Sequence, residues 1–538
     1  MHLTHFLATL ALLHGAASQQ IYDIVGSFRL KIHRIQTTWD RSHLLTYFQP
    51  TPDPINFVAP GPIGSADIVI DDSSVYQTVY GFGAALTDSS AGLLSTLKSQ
   101  NSGSYWKLMD YLFNATDGAN AAGFSYVRVP LGASDFSTRA YSYDDTSGDT
   151  SLSHFNIGVA PSQVFSILDD ILSINSQVRV HVVPWSPPGW MKSGGTMDGG
   201  SLNSQYISTM ATYLLKSLQG FKSKGIPVYA ISIQNEPENS NPTYPTCTMP
   251  VATHAQIGLA LRTLMNNNGF SSTKLIGYEH NWSDAANYPV QLMQQAGSAF
   301  AGVAFHCYEG TVSEQAKFTS QYPDKEVYFT ECSGENGSDW WSDIKWYMDN
   351  LHVSCRSFIG SISYGASSGL MWNLALDGNG NPKLPGTTSC GGPGCRGVVQ
   401  INSDATWSVN QEFYTLGQAS KAIIPRDHGG PWGKRIGVTV GGSLDWALVV
   451  GAYVTGRVSS TDWDRYSIVV LNWDDSASSG WNPQPVKATI EFRGMQATYT
   501  FPVGVTTLWW YAEPTSLTNQ GLVVQEAGAI PMSFYATS

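Results

Sequence analysis

The hydrophobic positions between about residues 77 and 422 form short apolar runs separated by longer amphipathic stretches. Most of the runs are apolar throughout rather than alternating, which is typical of strands in a parallel sheet covered on both faces. They predict eight strands, near Val79–Ala84, Phe124–Pro130, Val178–Pro184, Val228–Gln234, Lys274–Tyr278, Gly302–Cys307, Glu326–Thr330 and Gly369–Leu374.

The stretches between these runs predict helices. The clearest extends from about Ser204 to Lys222, where apolar residues recur every three or four positions and form one stripe. Pro161–Ile174 and Asp339–Val353 have similar patterns. Eight strands with helices between them predict an α/β fold, a (β/α)8 TIM barrel with long loops, over residues 77–422.

The two ends of the chain have a different pattern. Residues 423–538 carry short strand-like segments with Gly, Asn and Asp turns and no long helical pattern. Residues 19–76 contain strand fragments such as Ala66–Ile70. We therefore expect an attached antiparallel β-sandwich domain built from both chain ends, with the barrel inserted in it. Its C-terminal strands are predicted at Arg435–Val440, Trp446–Val454, Tyr466–Asn472, Val486–Phe492 and Thr506–Tyr511.

The first 18 residues predict a signal peptide. Leu7–Leu13 is a short apolar stretch, and Ala16–Ser18 is a small-residue cleavage site. No later segment has the ~18 consecutive apolar residues of a membrane span. Three Asn-x-Ser/Thr sequons, at Asn114, Asn281 and Asn336, are consistent with glycosylation, so we expect a secreted, extracellular glycoprotein.

Composition narrows the class of partner. The net charge is -12 and no basic run could follow a phosphate backbone, so nucleic acid is not an expected partner. The chain has 17 tryptophans and 26 tyrosines, and aromatic rings suit the apolar faces of sugars, although most of these rings should belong to the core.

Six cysteines are compatible with disulfides in a secreted protein. Cys390 and Cys395 flank the tight loop Gly391–Gly394, and we predict a bridge between them. The pairing of the other four, Cys247, Cys307, Cys332 and Cys355, stays open, and Cys332 is interpreted as a small buried residue.

Two apolar runs end abruptly on a glutamate, and these are the strongest functional signals. Glu236 follows Ile233-Gln234-Asn235, and Glu331 follows Tyr328-Phe329-Thr330. A carboxyl group at the C-terminal end of each of two barrel strands is how a retaining glycosidase builds its acid/base and its nucleophile. The Asn235 amide could hydrogen-bond a sugar 2-hydroxyl. No metal-binding motif is present and this chemistry needs no cofactor, so neither is predicted.

Further segments at the predicted strand ends resemble one family of retaining (β/α)8 glycosidases, glycoside hydrolase family thirty. This family includes glucosylceramidases and microbial β-1,6-glucanases. The resemblance extends from about Gly81 to Asp377. It rests, besides the Asn235-Glu236-Pro237 tripeptide, on Gly81–Asp88, Val127–Pro130 with Ser134–Ser137, Trp185–Lys192, His306–Tyr308 and Trp372–Asp377.

The resemblance implies a role for each matched residue. Glu236 is similar to the acid/base and Glu331 to the nucleophile of the family. Arg128 and His306 are expected to support the nucleophile. The expected sugar-binding residues are Asp135, Trp185, Asn235, Tyr308 and Trp372, of which Asn235 matches the 2-hydroxyl contact and Tyr308 matches a tyrosine that hydrogen-bonds the nucleophile. Arg128 should lower the pKa of Glu331, and the charge of Glu331 should raise that of Glu236.

Several polar residues near strand ends have simpler interpretations. Glu238 and Glu279 are expected to be rim or supporting carboxylates. Asp88 is interpreted as the cap of the first helix. Arg128 could instead only form a salt bridge inside the barrel, and His306 could be a structural hydrogen-bonding histidine.

The resemblance favours a linear glucan as substrate. Cys307 replaces a tryptophan of glucosylceramidase-like members, and Gln234 and the Glu331–Gly334 run are closer to the β-1,6-glucanase branch. We predict a monomeric, secreted retaining β-glycosidase that acts on polysaccharide, most simply an endo-β-1,6-glucanase of cell-wall glucan. The alternatives are a glucosylceramidase or a xylan- or galactan-cleaving relative and, from another class, a non-catalytic carbohydrate-binding protein.

Overall fold

The computed structural model describes residues 31–49, 54–59, 66–348, 358–387 and 389–514. The predicted signal peptide and Cys355 lie outside these residues. The first four strands belong to a sheet outside the barrel, and the fourth is followed directly by the first barrel strand. They are β1 (Lys31–Thr38), β2 (Thr46–Phe48), β3 (Ile55–Asn56) and β4 (Ile68–Thr78).

Eight parallel strands then close into a barrel, which confirms the predicted fold. Each predicted strand overlaps an observed one, and the eighth begins three residues earlier than expected. In barrel order they are β5 (Gly81–Ala85), β6 (Tyr126–Pro130), β7 (Arg179–Val183), β8 (Val228–Ser232), β9 (Lys274–Asn281), β10 (Gly302–His306), β11 (Glu326–Glu331) and, after the short β12 (Gly334–Glu335), β13 (Ala366–Met371).

Helices cover the outside of this barrel and bury its apolar strands. The predicted helix at Ser204–Lys222 forms at Ile207–Ser223, and its apolar stripe, including Met210, Leu214 and Leu218, is buried. The α-helices before β13 are α1 (Asp88–Gln100), α2 (Ser102–Phe113), α3 (Ser162–Ile174), α4 (Ile207–Ser223), α5 (Val251–Asn267), α6 (Tyr288–Ala296), α7 (Gln315–Thr319), α8 (Trp340–Met348) and α9 (Phe358–Ser363).

The barrel interior is filled with side chains. Tyr126, Ala230, Ala304, Tyr328 and Leu370 come from five different strands and pack in one buried cluster. The barrel is therefore a packed core, and a site can form where the loops after the strands leave room at its C-terminal end.

Short strands and one helix follow β13 before the chain returns to the outer sheet. The short strands are β14 (Ala375–Leu376), β15 (Cys395–Arg396), β16 (Val399–Ile401) and β17 (Trp407–Val409), and the helix is α10 (Gln411–Ile423). The pairing of β12 with β15 holds the loop after β11 against the loop after β13.

The second domain is a sheet built from both chain ends, as predicted, but it is a mixed sheet and not wholly antiparallel. Its C-terminal strands are β18 (Lys434–Val440), β19 (Leu448–Thr455), β20 (Asp464–Asn472), β21 (Val486–Phe492), β22 (Met495–Phe501) and β23 (Gly504–Ala512). The order is β2-β1-β23-β20-β19-β18-β4-β21-β22, with β3 paired to β1. The pairs are antiparallel apart from β4 and β21, which run parallel. Helix α10 packs against β20 and β23 and joins this sheet to the barrel. None of the helices in the described part of the chain is both long and apolar enough to cross a membrane.

Candidate active site

A cavity of about 500 Å³ opens at the C-terminal end of the barrel. Seven of the nine residues predicted from the sequence line it, and Arg128 and His306 are completely buried next to them. The lining also includes residues that the sequence analysis did not select, among them Asn241, Tyr244, Trp346 and Ser389. The seven predicted residues are Asp135, Trp185, Asn235, Glu236, Tyr308, Glu331 and Trp372.

Glu331 is the last residue of β11 and is 5% exposed. Each of its carboxylate oxygens accepts a hydrogen bond from a different side chain. Arg128 Nη1 donates to Oε2 over 2.5 Å, and the Tyr308 hydroxyl donates to Oε1 over 2.9 Å. These two donors fix the orientation of the carboxylate and favour its ionised form.

Glu236 lies in the loop just after β8, in a left-handed backbone conformation with φ 47°. Its amide donates to the carbonyl of Glu279 over 2.9 Å. Asn239 Nδ2 donates to Oε2 over 2.8 Å, and His306 Nδ1 lies 3.1 Å from Oε1. A carboxyl oxygen of Glu236 lies within 4.8 Å of one of Glu331. The strained backbone is held in place by these contacts and directs the carboxyl group at Glu331.

Arg128 contacts more than the nucleophile candidate. Its Nη2 donates to Asn235 Oδ1 over 2.6 Å and to Glu279 Oε2 over 2.9 Å. Because the guanidinium takes the amide oxygen of Asn235, the orientation of that amide is fixed and its nitrogen is the group that can meet a hydroxyl in the cavity. Arg128 is therefore both a salt-bridge residue inside the barrel and a direct partner of Glu331.

Two tryptophans form an aromatic wall of the cavity. The rings of Trp185 and Trp372 stack with centroids 4.7 Å apart and planes 20° apart. The Arg128 guanidinium lies 4.9 Å from the centre of the Trp185 ring, and this cation–π contact helps to fix the position of the ring. A rigid apolar surface of this kind fits the C–H face of a sugar ring.

Asp135 is 3% exposed and lines the same cavity. Its Oδ2 accepts from the Ser389 hydroxyl over 2.5 Å, whereas its buried Oδ1 has no partner in the described residues. Burial raises the pKa of Asp135 to about 7, although the Ser389 hydrogen bond opposes this. A buried acceptor that faces a cavity without a partner is suited to a ligand hydroxyl.

The disulfide between Cys390 and Cys395, which is the predicted bridge, staples the loop next to Ser389. A second bridge, which was not predicted, joins Cys307 to Cys332. The interpretation of Cys332 as a small buried residue was therefore wrong as to its bonding. Cys307 lies between His306 and Tyr308, and Cys332 follows Glu331, so the bridge ties together the ends of β10 and β11 at the centre of the site.

The pKa directions differ from the sequence prediction. Burial alone would raise the pKa of Glu236, but the hydrogen bond and the charge of His306 lower it to about 2. Burial raises the pKa of Glu331 and the charge of Glu236 adds to this, against the opposing effects of His306 and Arg128. Burial alone would lower the pKa of His306, but the carboxylates of Glu331, Glu236 and Glu279 raise it to about 9. The difference arises from His306, a cation beside Glu236 whose position depends on the fold.

His306 was expected to support the nucleophile, but its ring nitrogens face other carboxylates. Nδ1 faces Glu236, and Nε2 lies 3.3 Å from Glu279 Oε2. A carboxylate can only accept, so a ring that bonds both carboxylates carries a proton on each nitrogen. His306 is thus a cationic partner of the acid/base candidate.

The structure corrects the interpretation of Asp88 and agrees with that of Glu238 and Glu279 as rim or supporting carboxylates. Helix α1 is capped by Thr87, whose hydroxyl oxygen accepts from the Ser90 amide, and Asp88 is its first helical residue. The carboxylate of Asp88 instead accepts from the hydroxyls of Ser137 and Tyr141. Glu238 is 41% exposed, as expected of a rim carboxylate, whereas Glu279 is completely buried.

Arg396 is a supporting residue that sequence reasoning missed. It donates to Glu412 and Asp343 over 2.5 Å each and to the carbonyl of Glu335 over 2.7 Å. Glu335 and Asp343 line the cavity, so this buried arginine fixes the wall that follows Glu331. Because Arg396 lies in the disulfide loop region, far along the chain from that wall, no local pattern marks it.

Glu236, His306 and Glu331 each place one potential metal-ligand atom within 4.8 Å of the others. The Arg128 guanidinium, 2.5 Å from Glu331, already supplies a positive charge there. A protonated His306 cannot ligate a metal through either nitrogen. The donor set therefore fits proton transfer better than metal binding.

The comparisons agree with this geometry. The family model of the glycosyl hydrolase family 30 TIM-barrel domain matches residues 79–423. An endo-1,6-beta-D-glucanase of Neurospora crassa is 33% identical over 430 residues, which cover 77% of this chain and 82% of that protein. Putative glucosylceramidase 4 of Caenorhabditis elegans is 28% identical over 341 residues, which cover 59% of this chain and 63% of that protein. A solved endo-beta1,6-glucanase has a TM-score of 0.73 at 27% identity, covering 90% of this chain and 100% of its own.

Proposed function

The chain belongs to glycosyl hydrolase family 30, and on that premise we propose that it is a secreted endo-1,6-β-glucanase that acts with retention of configuration. The observation that carries this proposal is the pair Glu236 and Glu331 in one cavity, with carboxyl oxygens within 4.8 Å of each other. Retaining glycosidases hold their carboxyl groups about 5–5.5 Å apart, whereas inverting enzymes need about 6.5–9.5 Å to admit a water. The endo-1,6-β-glucanase relatives support the linkage.

In the first step, Glu331 attacks the anomeric carbon while Glu236 gives its proton to the leaving glycosidic oxygen. The C–O bond of the glycoside breaks and a glycosyl ester of Glu331 forms. In the second step, Glu236 takes a proton from water, the water oxygen attacks the same carbon, and Glu331 leaves as a carboxylate. Two inversions leave the β-configuration unchanged.

The proton for the first step is held by a pair of groups. His306 Nδ1 and Glu236 Oε1 are 3.1 Å apart, so one proton can move between them along a hydrogen bond. With the proton on the histidine, Glu236 is ionised. With the proton on the carboxyl group, His306 is neutral. The pKa of about 9 at His306 means that the pair keeps this proton well above neutral pH. Activity should therefore need a pH high enough to ionise Glu331 and low enough to keep the pair protonated.

The other cavity residues bind the sugar in this proposal. The stacked rings of Trp185 and Trp372 supply an apolar wall, the amide nitrogen of Asn235 meets the 2-hydroxyl, and the unpartnered Oδ1 of Asp135 accepts from another hydroxyl. Contacts to the 2-hydroxyl that strengthen in the transition state are a general source of catalysis in these enzymes.

Two features favour a glucanase over a glucosylceramidase. The relatives at 33%, 31% and 32% identity are endo-1,6-β-glucanases, whereas the putative glucosylceramidases reach 31% only over a third of the chain and 28% or less over longer matches. Cys307, where glucosylceramidase-like members carry tryptophan, forms a disulfide here.

The disulfides at Cys307 and Cys390 also support export to an oxidising compartment.

The test is incubation with β-1,6-, β-1,3- and β-1,4-glucans, xylan, galactan and glucosylceramide, with Glu331→Gln as the inactive control. We expect cleavage of the β-1,6-glucan into a series of oligosaccharides, with the β-anomer as the first product by proton NMR. Preferential cleavage of another substrate would replace the proposed linkage. Glucose as the sole early product would indicate exo action, an initial α-anomer would exclude retention, and no cleavage at all would favour a carbohydrate-binding protein.

A further inference from the structure

Glu279 occupies an unusual backbone position at the end of β9. Tyr278 and Glu279 both have a positive φ, of 70° and 60°. The register between β9 and β10 shifts here, so that Tyr278 and His280 pair with consecutive residues of β10 and Glu279 is skipped. A bulge of this kind redirects a side chain, and bulges and strained residues concentrate next to active sites.

The carboxylate of Glu279 is completely buried and accepts hydrogen bonds at both oxygens. Oε2 accepts from Arg128 Nη2 over 2.9 Å and from the Thr330 hydroxyl over 2.7 Å, and His306 Nε2 lies 3.3 Å away. Oε1 accepts from the Ser232 hydroxyl over 2.6 Å, with His181 Nε2 at 3.2 Å. The backbone carbonyl of the same residue accepts from the Glu236 amide.

These contacts connect Glu279 to both candidate catalytic carboxyls through their cationic partners. Arg128 is the partner of Glu331, and His306 is the partner of Glu236. Arg128 Nη2 and His306 Nε2 are only 3.5 Å apart, so two positive charges meet in a buried place. The carboxylate of Glu279 contacts both of them and offsets their repulsion.

We propose that Glu279 is a positioning residue for the reaction: it holds Arg128 against the nucleophile and keeps His306 in the protonated form that supplies Glu236. The inference rests on the roles proposed for Glu236 and Glu331. Glu279 does not line the cavity and so does not contact the substrate. It acts through its two cationic neighbours.

Several charged or titratable groups face Glu279 and His306. His181 is neutral near pH 7, because burial lowers its pKa to about 4. Arg128 is permanently positive. Burial alone would raise the pKa of Glu279, but Arg128, His306 and His181 hold it well below its ordinary value. The groups around His306 are Arg128, Glu236, Glu279, His280 and Glu331.

The test is Glu279→Gln, which removes the charge and can keep the hydrogen bonds. The amide oxygen can face Arg128, Thr330 and His306, while the amide nitrogen faces Ser232 and the neutral His181. We expect kcat to fall by about 10²-fold, the lower end of what a positioned acid–base group contributes, with KM nearly unchanged. The alkaline limb of the kcat/KM profile should move to lower pH by at least about one unit, because His306 loses its proton more easily.

Glu238→Gln is the matched control, since it makes the same carboxyl-to-amide change on an exposed side chain near the same loops. It should leave kcat and the pH profile unchanged. Carbon-13 NMR of the histidine rings, with the His306 signal assigned by its loss in His306→Gln, gives a second readout. The His306 titration should move down in Glu279→Gln and stay unchanged in Glu238→Gln.

Three results would overturn the proposal. One is a wild-type pH profile and rate in Glu279→Gln. Another is a lower kcat with an unmoved alkaline limb and an unmoved His306 titration, which would mark a merely structural role. The third, which needs no change at Glu279, is an ordinary titration of His306 near about pH 6.5 in the wild-type protein. The NMR readout does not depend on the substrate, so it decides the role of Glu279 even if no glycan is cleaved.

Discussion

Replacing Tyr308 with phenylalanine removes one of the two hydrogen bonds that hold Glu331. The hydroxyl donates to Oε1 over 2.9 Å, while Arg128 keeps its contact with Oε2. A hydrogen bond to a charged group contributes about 1.5–3 kcal/mol, and about 1.36 kcal/mol corresponds to one pKa unit. The Tyr308 hydroxyl favours the ionised form and therefore lowers the pKa of Glu331. Without it, that pKa should rise by about one to two units.

The assay is kcat/KM on β-1,6-glucan as a function of pH, by release of reducing ends. Under the proposed mechanism activity needs ionised Glu331, so in Tyr308→Phe the acid limb should move upward by about one to two pH units. Tyr105→Phe is the matched control, because that hydroxyl also donates to a carboxylate, Asp170, on the outer helices. It should cost about 1.5 kcal/mol of stability, the lower end of the same range because this pair is partly exposed, and leave the limb in place. An acid limb that stays fixed or moves downward in Tyr308→Phe would refute Glu331 as the group that must be ionised.

Other expectations follow from the same geometry. Glu236→Gln should lower kcat by about 10²–10⁴-fold, and Glu331→Gly should be inactive but form a glycosyl azide of inverted configuration when azide is added; near-wild-type rates in either variant would contradict the assignment. In chemical denaturation, replacing Cys307 and Cys332 with alanine should reduce the free energy of unfolding by about 3.5 kcal/mol. The same change at Cys390 and Cys395 should reduce it by about 2 kcal/mol, because that disulfide closes a shorter loop. Asn281 should carry no glycan in peptide mass spectrometry despite its sequon, because it is 6% exposed and its side-chain oxygen accepts from the Tyr308 amide. A chelator such as EDTA should leave the hydrolysis rate unchanged, because Arg128 already neutralises Glu331; loss of activity that Ca²⁺ or Zn²⁺ restores would speak for a metal site.

The barrel could be predicted because its signal is local. Strands buried on both faces are apolar throughout, and helices between them show one apolar stripe, so order and type followed from short windows such as Ile207–Phe221. The strands at the edges of the outer sheet were harder to predict. Strand β22 (Met495–Phe501) was missed, because its partly exposed pattern lacks a continuous apolar run.

Seven of the cavity residues could be predicted because each lies in a matched segment at a strand end. Glu279 and Ser389 could not be selected in the same way. The inward orientation of Glu279 depends on a bulge between β9 and β10, and the contact of Ser389 with Asp135 joins positions 254 residues apart. The pKa prediction failed for a related reason, since the distance from His306 to Glu236 exists only once β8 and β10 are in place.

The pairing of β1 with β23 has a consequence for biosynthesis. The side chains of Gln36 and Thr506 are hydrogen-bonded although they are 470 positions apart. At roughly 5–20 residues per second on a ribosome, β1 waits about 25–95 seconds for its partner. The barrel segment emerges within that interval and can fold first, while β1 remains an unpaired edge that other chains can join. The outer sheet can therefore be completed only after nearly the whole chain has been made, and until then β1 offers other chains an edge that β23 covers in the folded protein.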